Sequence, residues 1–249
     1  DAQASFADYA AARLDLAADV ARGWFDAVEL ALQVRLSEET VRNFADNLEV
    51  VEAGSTEPAH TTPGADLRFD LAKYRVYQFG EAIAEVEDVS EFWRDDLVSF
   101  LLGCSFSFES PLIQAGISLR HIERGTNVSM YTTNIQTTPA GVFHGRMVAS
   151  MRPIPRDKVV RAVQVTSRFP GVHGAPIHIG DPRAIGIDDI SRPDMGDPVE
   201  IKEDEVPVFW ACGVTPQVVA MTSKPPLMLT HSPGYMFITD KRDEDYAVI

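Results

Sequence analysis

The rhythm of apolar and polar positions changes several times along the chain. Over residues 4–33, Ala, Leu, Val, Trp24 and Phe25 recur every three or four positions with charges between them, the period of an amphipathic helix. A second helix is expected after Ser37, because Glu38 and Glu39 put negative charge in its first turn, and it should end near Asn47. LEVVEA then reads as a buried strand and GSTEPAHTTPGAD (54–66) as loop. Alternation about Gly80 predicts a hairpin over 74–86. Ser90 should cap a helix, EFWRDDLVSFLL, that runs to Gly103, and a short helix in FESPLIQA should stop at Gly116.

Strands are expected around 128–135 and 146–152, then an amphipathic helix over 155–169 with Pro155 near its start. VPVFWACG (206–213) is apolar, β-branched and aromatic, so it reads as a buried strand. TPQVVAMTSK follows as a helix with Thr215 at the N-cap and Pro216 at the first helical position. The closing PPLMLTHSPGYMFITD predicts two short strands around the turn Ser232-Pro233-Gly234. Helices interleaved with buried strands predict an α/β fold.

Charge narrows the partners. A net charge of −15 would repel a phosphate backbone, which excludes nucleic acid. The longest apolar stretch, Leu97–Phe108, is too short and too interrupted by Ser and Gly to span a bilayer. Asp1, Asp8, Asp15 and Asp19 make an acidic start unlike a secretory or transit peptide. With two distant cysteines, Cys104 and Cys212, lacking metal-ligand spacing, a cytoplasmic location is expected. Both thiols read as packing rather than as thioester-forming nucleophiles. GxGxxG, the P-loop, GxSxG and HExxH are absent. GCSFS (103–107) should follow a helix, the wrong context for a hydrolase serine.

One segment departs from the acidic balance. Residues 118–180 hold eight Arg and Lys against two acids, Glu123 and Asp157, and four of the six histidines: His121, His144, His173 and His178. Inside it, GVHGAPIHIGD (171–181) carries glycines and a proline that forbid a regular helix, so His173 and His178 cannot share a helical face. Nothing fixes a metal geometry for them with Asp181, and no metal is assigned. His173 and His178 are instead candidates for general acid or base, the alternative being histidines bonded to backbone. Arg152 and Arg168 are candidates for a carboxylate clamp, with ion pairing as the alternative. Glu109 is a candidate acid partner or simply a helix-start charge, and Ser105 and Ser107 are candidate donors to a substrate. Tyr131 and Asn134 are candidate pocket residues on a strand. The amides of Gly213–Gln217, with Thr215, form the expected anion cradle, and His231 should face the same cleft. No organic cofactor is called for.

FWRDDLVSFLLGCSFSFE (92–109), RHIERGTNVSMYTTNI (120–135), MRPIP (151–155), VTSRFPGVHGAPIHIGDP (165–182), VPVFWACGVTPQ (206–217) and SKPPLMLTHSPGYMFITD (223–240) resemble the D-glutamate cyclase family, much of it labelled hydro-lyase. The likeness runs from about residue 70 to 242. It implies a three-layer α/β/α sandwich with a smaller inserted two-layer α/β domain: here 1–118 with 183–249 as the main domain and 119–182 as the insert. It also implies cofactor-independent cyclisation of D-glutamate to 5-oxo-D-proline with loss of water. Two departures stand out. The N-terminal ARGWFDAVELALQVRLSEE lacks the family's opening stretch, and Tyr235 stands where the family carries a histidine after Pro-Gly. Tyrosine mostly donates a hydrogen bond where histidine exchanges protons, so a different small carboxylic acid, handled by a hydratase-type lyase, stays open. So does a non-catalytic carboxylate-binding protein. The expected partner is a small carboxylate, and the choice between monomer and homodimer is open.

Overall fold

The structure is a computed structural model that describes residues 49–248. The two helices expected over 4–33 and 38–47 lie outside the described residues. Nine strands form three antiparallel sheets among the described residues. β1 (Glu49–Val51) pairs with β4 (Ser99–Leu101). β3 (Glu81–Val86), β2 (Tyr74–Gln78) and β9 (Met228–His231) form the second sheet in that order. β5 (Ser129–Gln136), β6 (Arg146–Pro155), β8 (Glu205–Ala211) and β7 (His178–Ile179) form the third. The α-helices are α1 (Glu109–Gln114), α2 (Arg120–Arg124), α3 (Val159–Thr166) and α4 (Thr215–Ser223). Mixed α and β is therefore met, with antiparallel sheets. Among the described residues no helix is long and apolar enough to cross a membrane.

The third sheet carries the core on both faces, which explains why β6 and β8 read as nearly continuous apolar runs. On one face Ile154, Val208 and Trp210 pack with Phe108 and Leu112, and with Ala162 of α3. On the other, Tyr131, Met151 and Phe209 pack with Ile185 and Ile187. β6 pairs with β8 from Ala149↔Ala211 to Pro155↔Glu205, so the sheet joins residues of 119–182 to the segment that follows.

The 74–86 hairpin forms as expected, turning at Phe79 and Gly80, both at positive φ (50° and 84°), the geometry of a type I′ turn. Three expectations are corrected. The helix over 91–102 does not form: only a 3-10 turn, Ser90–Phe92, appears, and Ser99–Leu101 becomes β4. Its partner strand, Glu49–Val51, offers Ser99–Leu101 a ladder, and non-local pairing outweighs weak helix preference there. GCSFS consequently follows a strand rather than a helix, although Ser107 stands where a hydrolase elbow needs its last glycine. Thr215 is not the N-cap of α4. Val214 is, and the Thr215 hydroxyl donates back to the Cys212 carbonyl (2.8 Å) while accepting the Val148 N–H (3.1 Å). The closing segment makes one strand, because β9 pairs with β2 and the residues after the Ser232–Tyr235 turn find no ladder.

Candidate active site

Alternation along β6 puts Ser150 and Arg152 on one face, beside Trp210 across the ladder. Arg152 is fully buried. Its guanidinium lies beside two neighbouring aromatic rings, 5.4 Å from the Phe108 centroid and 5.5 Å from that of Trp210, the centroids themselves being 5.6 Å apart. Nε donates to Glu109 Oε1 at 2.8 Å, and Nη2 donates to the same oxygen. Nη2 also donates to Ser105 Oγ and Nη1 to Ser150 Oγ, each at 3.1 Å. The arginine fork is thus taken up by protein groups. It holds Glu109 rather than standing open to a ligand.

Glu109 is the first residue of α1 and is 6% exposed. Burial pushes its carboxyl up, but His121 and Arg152 beside it outweigh that and hold it below the usual carboxylate range. His121, from α2, is equally buried and lies over Phe106 with ring centroids 6.5 Å apart. Its Nε2 is 3.0 Å from Glu109 Oε1 yet out of line for a hydrogen bond, so the atom has no partner. Oε2 of Glu109 accepts none of the described hydrogen bonds, and part of the side chain, 8%, remains open.

Three backbone segments close over this cluster. A Cβ on Gly103 would stand 2.1 Å from the Gly171 carbonyl oxygen, so the chain at 103 and the chain at 171–172 touch directly. A Cβ on Gly213 would stand 3.6 Å from the Gly103 carbonyl and 3.9 Å from His173 Nε2. His173 follows a 3-10 turn, Pro170–Val172, in a left-handed conformation (φ 81°) that non-glycine residues adopt at a cost. Its Nε2 is sealed from solvent and has no hydrogen-bond partner. Burial, with the Arg152 charge nearby, pushes the imidazole down to about 4. The ring is therefore neutral near pH 7.

That value has a consequence for stability. Above pH 6.5 the ring is neutral in the folded and unfolded chain alike. Between 6.5 and 4 the unfolded chain takes up the proton and the folded one does not, so stability falls as pH falls through that window. The full loss is on the order of 3 kcal/mol. His173→Asn is expected to flatten urea-unfolding stability between pH 6.5 and 4.5; an unchanged slope would contradict this origin. Glu109 and Glu205, both lowered, lose their contributions at lower pH, below the ordinary carboxylate value.

Burial pushes both thiols up, Cys212 to about 11, as expected of packing residues.

The other expected site residues lie apart from this cluster in their described contacts. His178 Nε2 is bonded to the Asp181 carbonyl oxygen (2.7 Å), with its ring 5.8 Å from Phe209. Arg168 is exposed and its Nε donates to the Val248 carbonyl at 3.4 Å. Ser107 lies close enough to Asp243, near the C-terminus, to offset part of the upward push that burial gives that carboxyl. Tyr131 is core, its hydroxyl donating to the Ile190 carbonyl, and Asn134 is exposed against Gly186. His231 Nδ1 is 2.8 Å from the Ser232 carbonyl at the end of β9, and Tyr235 is exposed with Lys73 Nζ 5.4 Å from its ring centroid.

The arginines and histidines of 118–180 do not converge on one cavity. Arg120 pairs with Glu205, the first residue of β8, and Arg124 with Glu200 just before that strand, so these acids neutralise α2. Arg146, Arg156, Arg161 and Arg168 face solvent. A hollow of about 430 Å³ lies elsewhere, beside Tyr131, Ile187, Asp188, Asp189, Arg192 and Asp194, and residues 171–181 do not line it. What the structure gathers instead is one buried arginine with Glu109, Ser105, His173 and two residues missed from sequence, His121 and Ser150. Ser150 was legible: it is a polar position two residues from Arg152 on an apolar strand.

Residues 98–240 match the sequence model of a family described as D-glutamate cyclase. A protein of Thermoanaerobacter sp. (strain X514) is 66% identical over 200 residues, 80% of this chain and 76% of its own. One of Psychrobacter arcticus is 66% identical over 202 residues, covering 81% of this chain and 77% of that protein. YcsI of Bacillus subtilis (strain 168) is 61% identical over 202 residues, covering 81% and 79% respectively. Each of the three bears the name "Putative hydro-lyase".

Proposed function

This chain belongs to the D-glutamate cyclase family, and we propose that it is a cofactor-independent hydro-lyase that closes D-glutamate to 5-oxo-D-proline and water. The observation that carries the reading is the buried Arg152–Glu109 pair beside an unpartnered, neutral His173. In this reaction the substrate amine attacks its own side-chain carboxyl carbon. A C–N bond forms, a C–O bond breaks, and the departing oxygen leaves as water. Holding the two ends together can supply several kcal/mol, on the order of 7 in favourable cases.

Glu109 takes the role of proton acceptor through Oε2, kept ionised by Arg152. His173 is neutral, so with its proton on Nε2 it donates a hydrogen bond to the developing oxyanion. The expected cradle of amides over Gly213–Gln217 does not stand open, because the Thr215 and Gln217 N–H groups are bonded to the Cys212 and Val214 carbonyls and Pro216 has none; the dipole at the start of α4 still favours the same negative charge. Arg152 supplies positive field from below without touching the substrate. The finer architecture belongs to the same proposal: a three-layer α/β/α sandwich with an insert at 119–182, whose sheet β8 completes.

The test is direct. The pure protein is incubated with D-glutamate, L-glutamate and a panel of small carboxylic acids, with products followed by mass spectrometry and binding by thermal shift. 5-oxo-D-proline from D-glutamate alone supports the proposal. Turnover of another acid points to a hydratase-type lyase, the reading that Tyr235 keeps open. A thermal shift with no product from any acid would mean a binding protein.

A further inference from the structure

Two buried histidine nitrogens without partners flank Arg152's cluster, and the reading above uses one of them, His173. The other, His121 Nε2, stands 3.0 Å from the carboxylate oxygen of Glu109 in a place where both side chains are largely buried. A buried polar atom left without a hydrogen bond costs about 1–3 kcal/mol, so its place beside a carboxylate calls for a reason. Packing alone does not require nitrogen: the ring lies over Phe106, where a phenyl would serve.

The proton balance of the proposed reaction gives one. An ammonium carries three protons and the lactam nitrogen keeps one. Two protons must leave nitrogen, one before the C–N bond forms and one after, and both must reach the oxygen that departs as water. No proton is gained or lost overall. A single carboxylate can hold one of them. Glu109 divides its two oxygens between separate neighbours: Oε1 faces Arg152 and His121, and Oε2 is left over.

We propose that His121 is a positioning residue that acts through Glu109, taking up the second proton so that the pair holds both until the C–O bond breaks. The inference rests on the lactam-forming reading. In the ground state the ring is turned out of line with Oε1; a small rotation aligns Nε2 with it. When Glu109 is protonated at Oε2 by the substrate amine, Oε1 becomes a weaker acceptor for Arg152, and the second proton passes through the carboxyl to the imidazole. Both return by the same route to the leaving oxygen. Glu109 from α1 and, through it, Arg152 from β6 are the charged groups that reach this ring among the described contacts.

The experiment compares His121→Phe, which keeps the ring's packing, with His121→Gln, which keeps a donor towards Glu109 but cannot store a proton. Thermal melting first checks that each variant folds. With D-glutamate both variants should lose about 100-fold in kcat, the size of an acid–base contribution, while KM stays within about threefold. The pH profile of kcat should lose a limb in both. Wild-type rate in His121→Gln means that hydrogen bonding alone is needed and overturns proton storage; wild-type rate in both variants overturns any role. If the variants do not fold, the dependence of the wild-type kcat on the D2O fraction decides: a pair that holds two protons gives a curved plot, and a straight line overturns proton storage. Failure of the wild-type protein to turn over D-glutamate would instead overturn the reading under Proposed function and this inference with it, whereas active wild type with unaffected variants overturns this inference alone.

Discussion

Arg152→Ala should destabilise the protein by about 3–5 kcal/mol, the loss expected when one partner of a buried ion pair is removed. The arginine is fully buried and gives Glu109 its strongest partner, so its removal strands a carboxylate in a site sealed by Phe108 and Trp210. Two serine hydroxyls, Ser105 and Ser150, lose their donor at the same time. Glu109→Gln should cost less, because an amide oxygen can still accept from the guanidinium, although the positive charge is left without its counter-ion. The double variant Arg152→Met with Glu109→Leu should recover much of the stability, since apolar side chains of similar size avoid desolvating either charge. It should also be inactive. Urea unfolding at pH 7 reads all three. An Arg152→Ala variant within about 1 kcal/mol of wild type would mean that the pair is not as buried as described. The pattern separates stability from function: an ion pair that apolar residues can replace without loss of stability is kept for what it does to the substrate.

Much of this was legible in the chain. The 74–86 hairpin, the strands at 129–136 and 146–155 and the strand at 205–211 follow from local alternation and apolar runs, because each is decided by which face is buried. The region 91–102 was not, because its conformation depends on a partner strand about fifty residues away at 49–51. The site divides in the same way. Glu109, Arg152, Ser105 and His173 were singled out from chemistry and do meet, but the basic surplus of 118–180 that drew attention to them has another cause. Arg120 and Arg124 sit four apart on α2 and answer Glu205 and Glu200, acids distant in sequence. His121, between them on the helix, turns the other way towards Glu109. Spacing could have suggested that division of α2 into two faces; only the fold shows which acid each face meets.

Gly103→Ala should be the more damaging of two small changes around His173. A methyl at 103 would stand 2.1 Å from the Gly171 carbonyl oxygen and 2.8 Å from the Val172 Cα, both backbone atoms that no rotamer change can move. The two chains would have to part, and with them the turn that holds His173 in its left-handed conformation. A loss on the order of 3 kcal/mol is expected, at the upper end of overpacking costs, together with loss of turnover. Gly213→Ala is the control. Its methyl would meet the Gly103 carbonyl at 3.6 Å and His173 Nε2 at 3.9 Å, ordinary contact distances, so stability should change by less than about 1 kcal/mol. Yet that methyl would come into contact with His173 Nε2, the atom given the oxyanion role, so turnover should fall sharply while the fold survives. Melting curves and steady-state rates measured on both variants distinguish the two effects. If Gly213→Ala keeps full activity, the space between His173 and the start of α4 is not where the substrate sits, and the oxyanion role given to His173 fails with it.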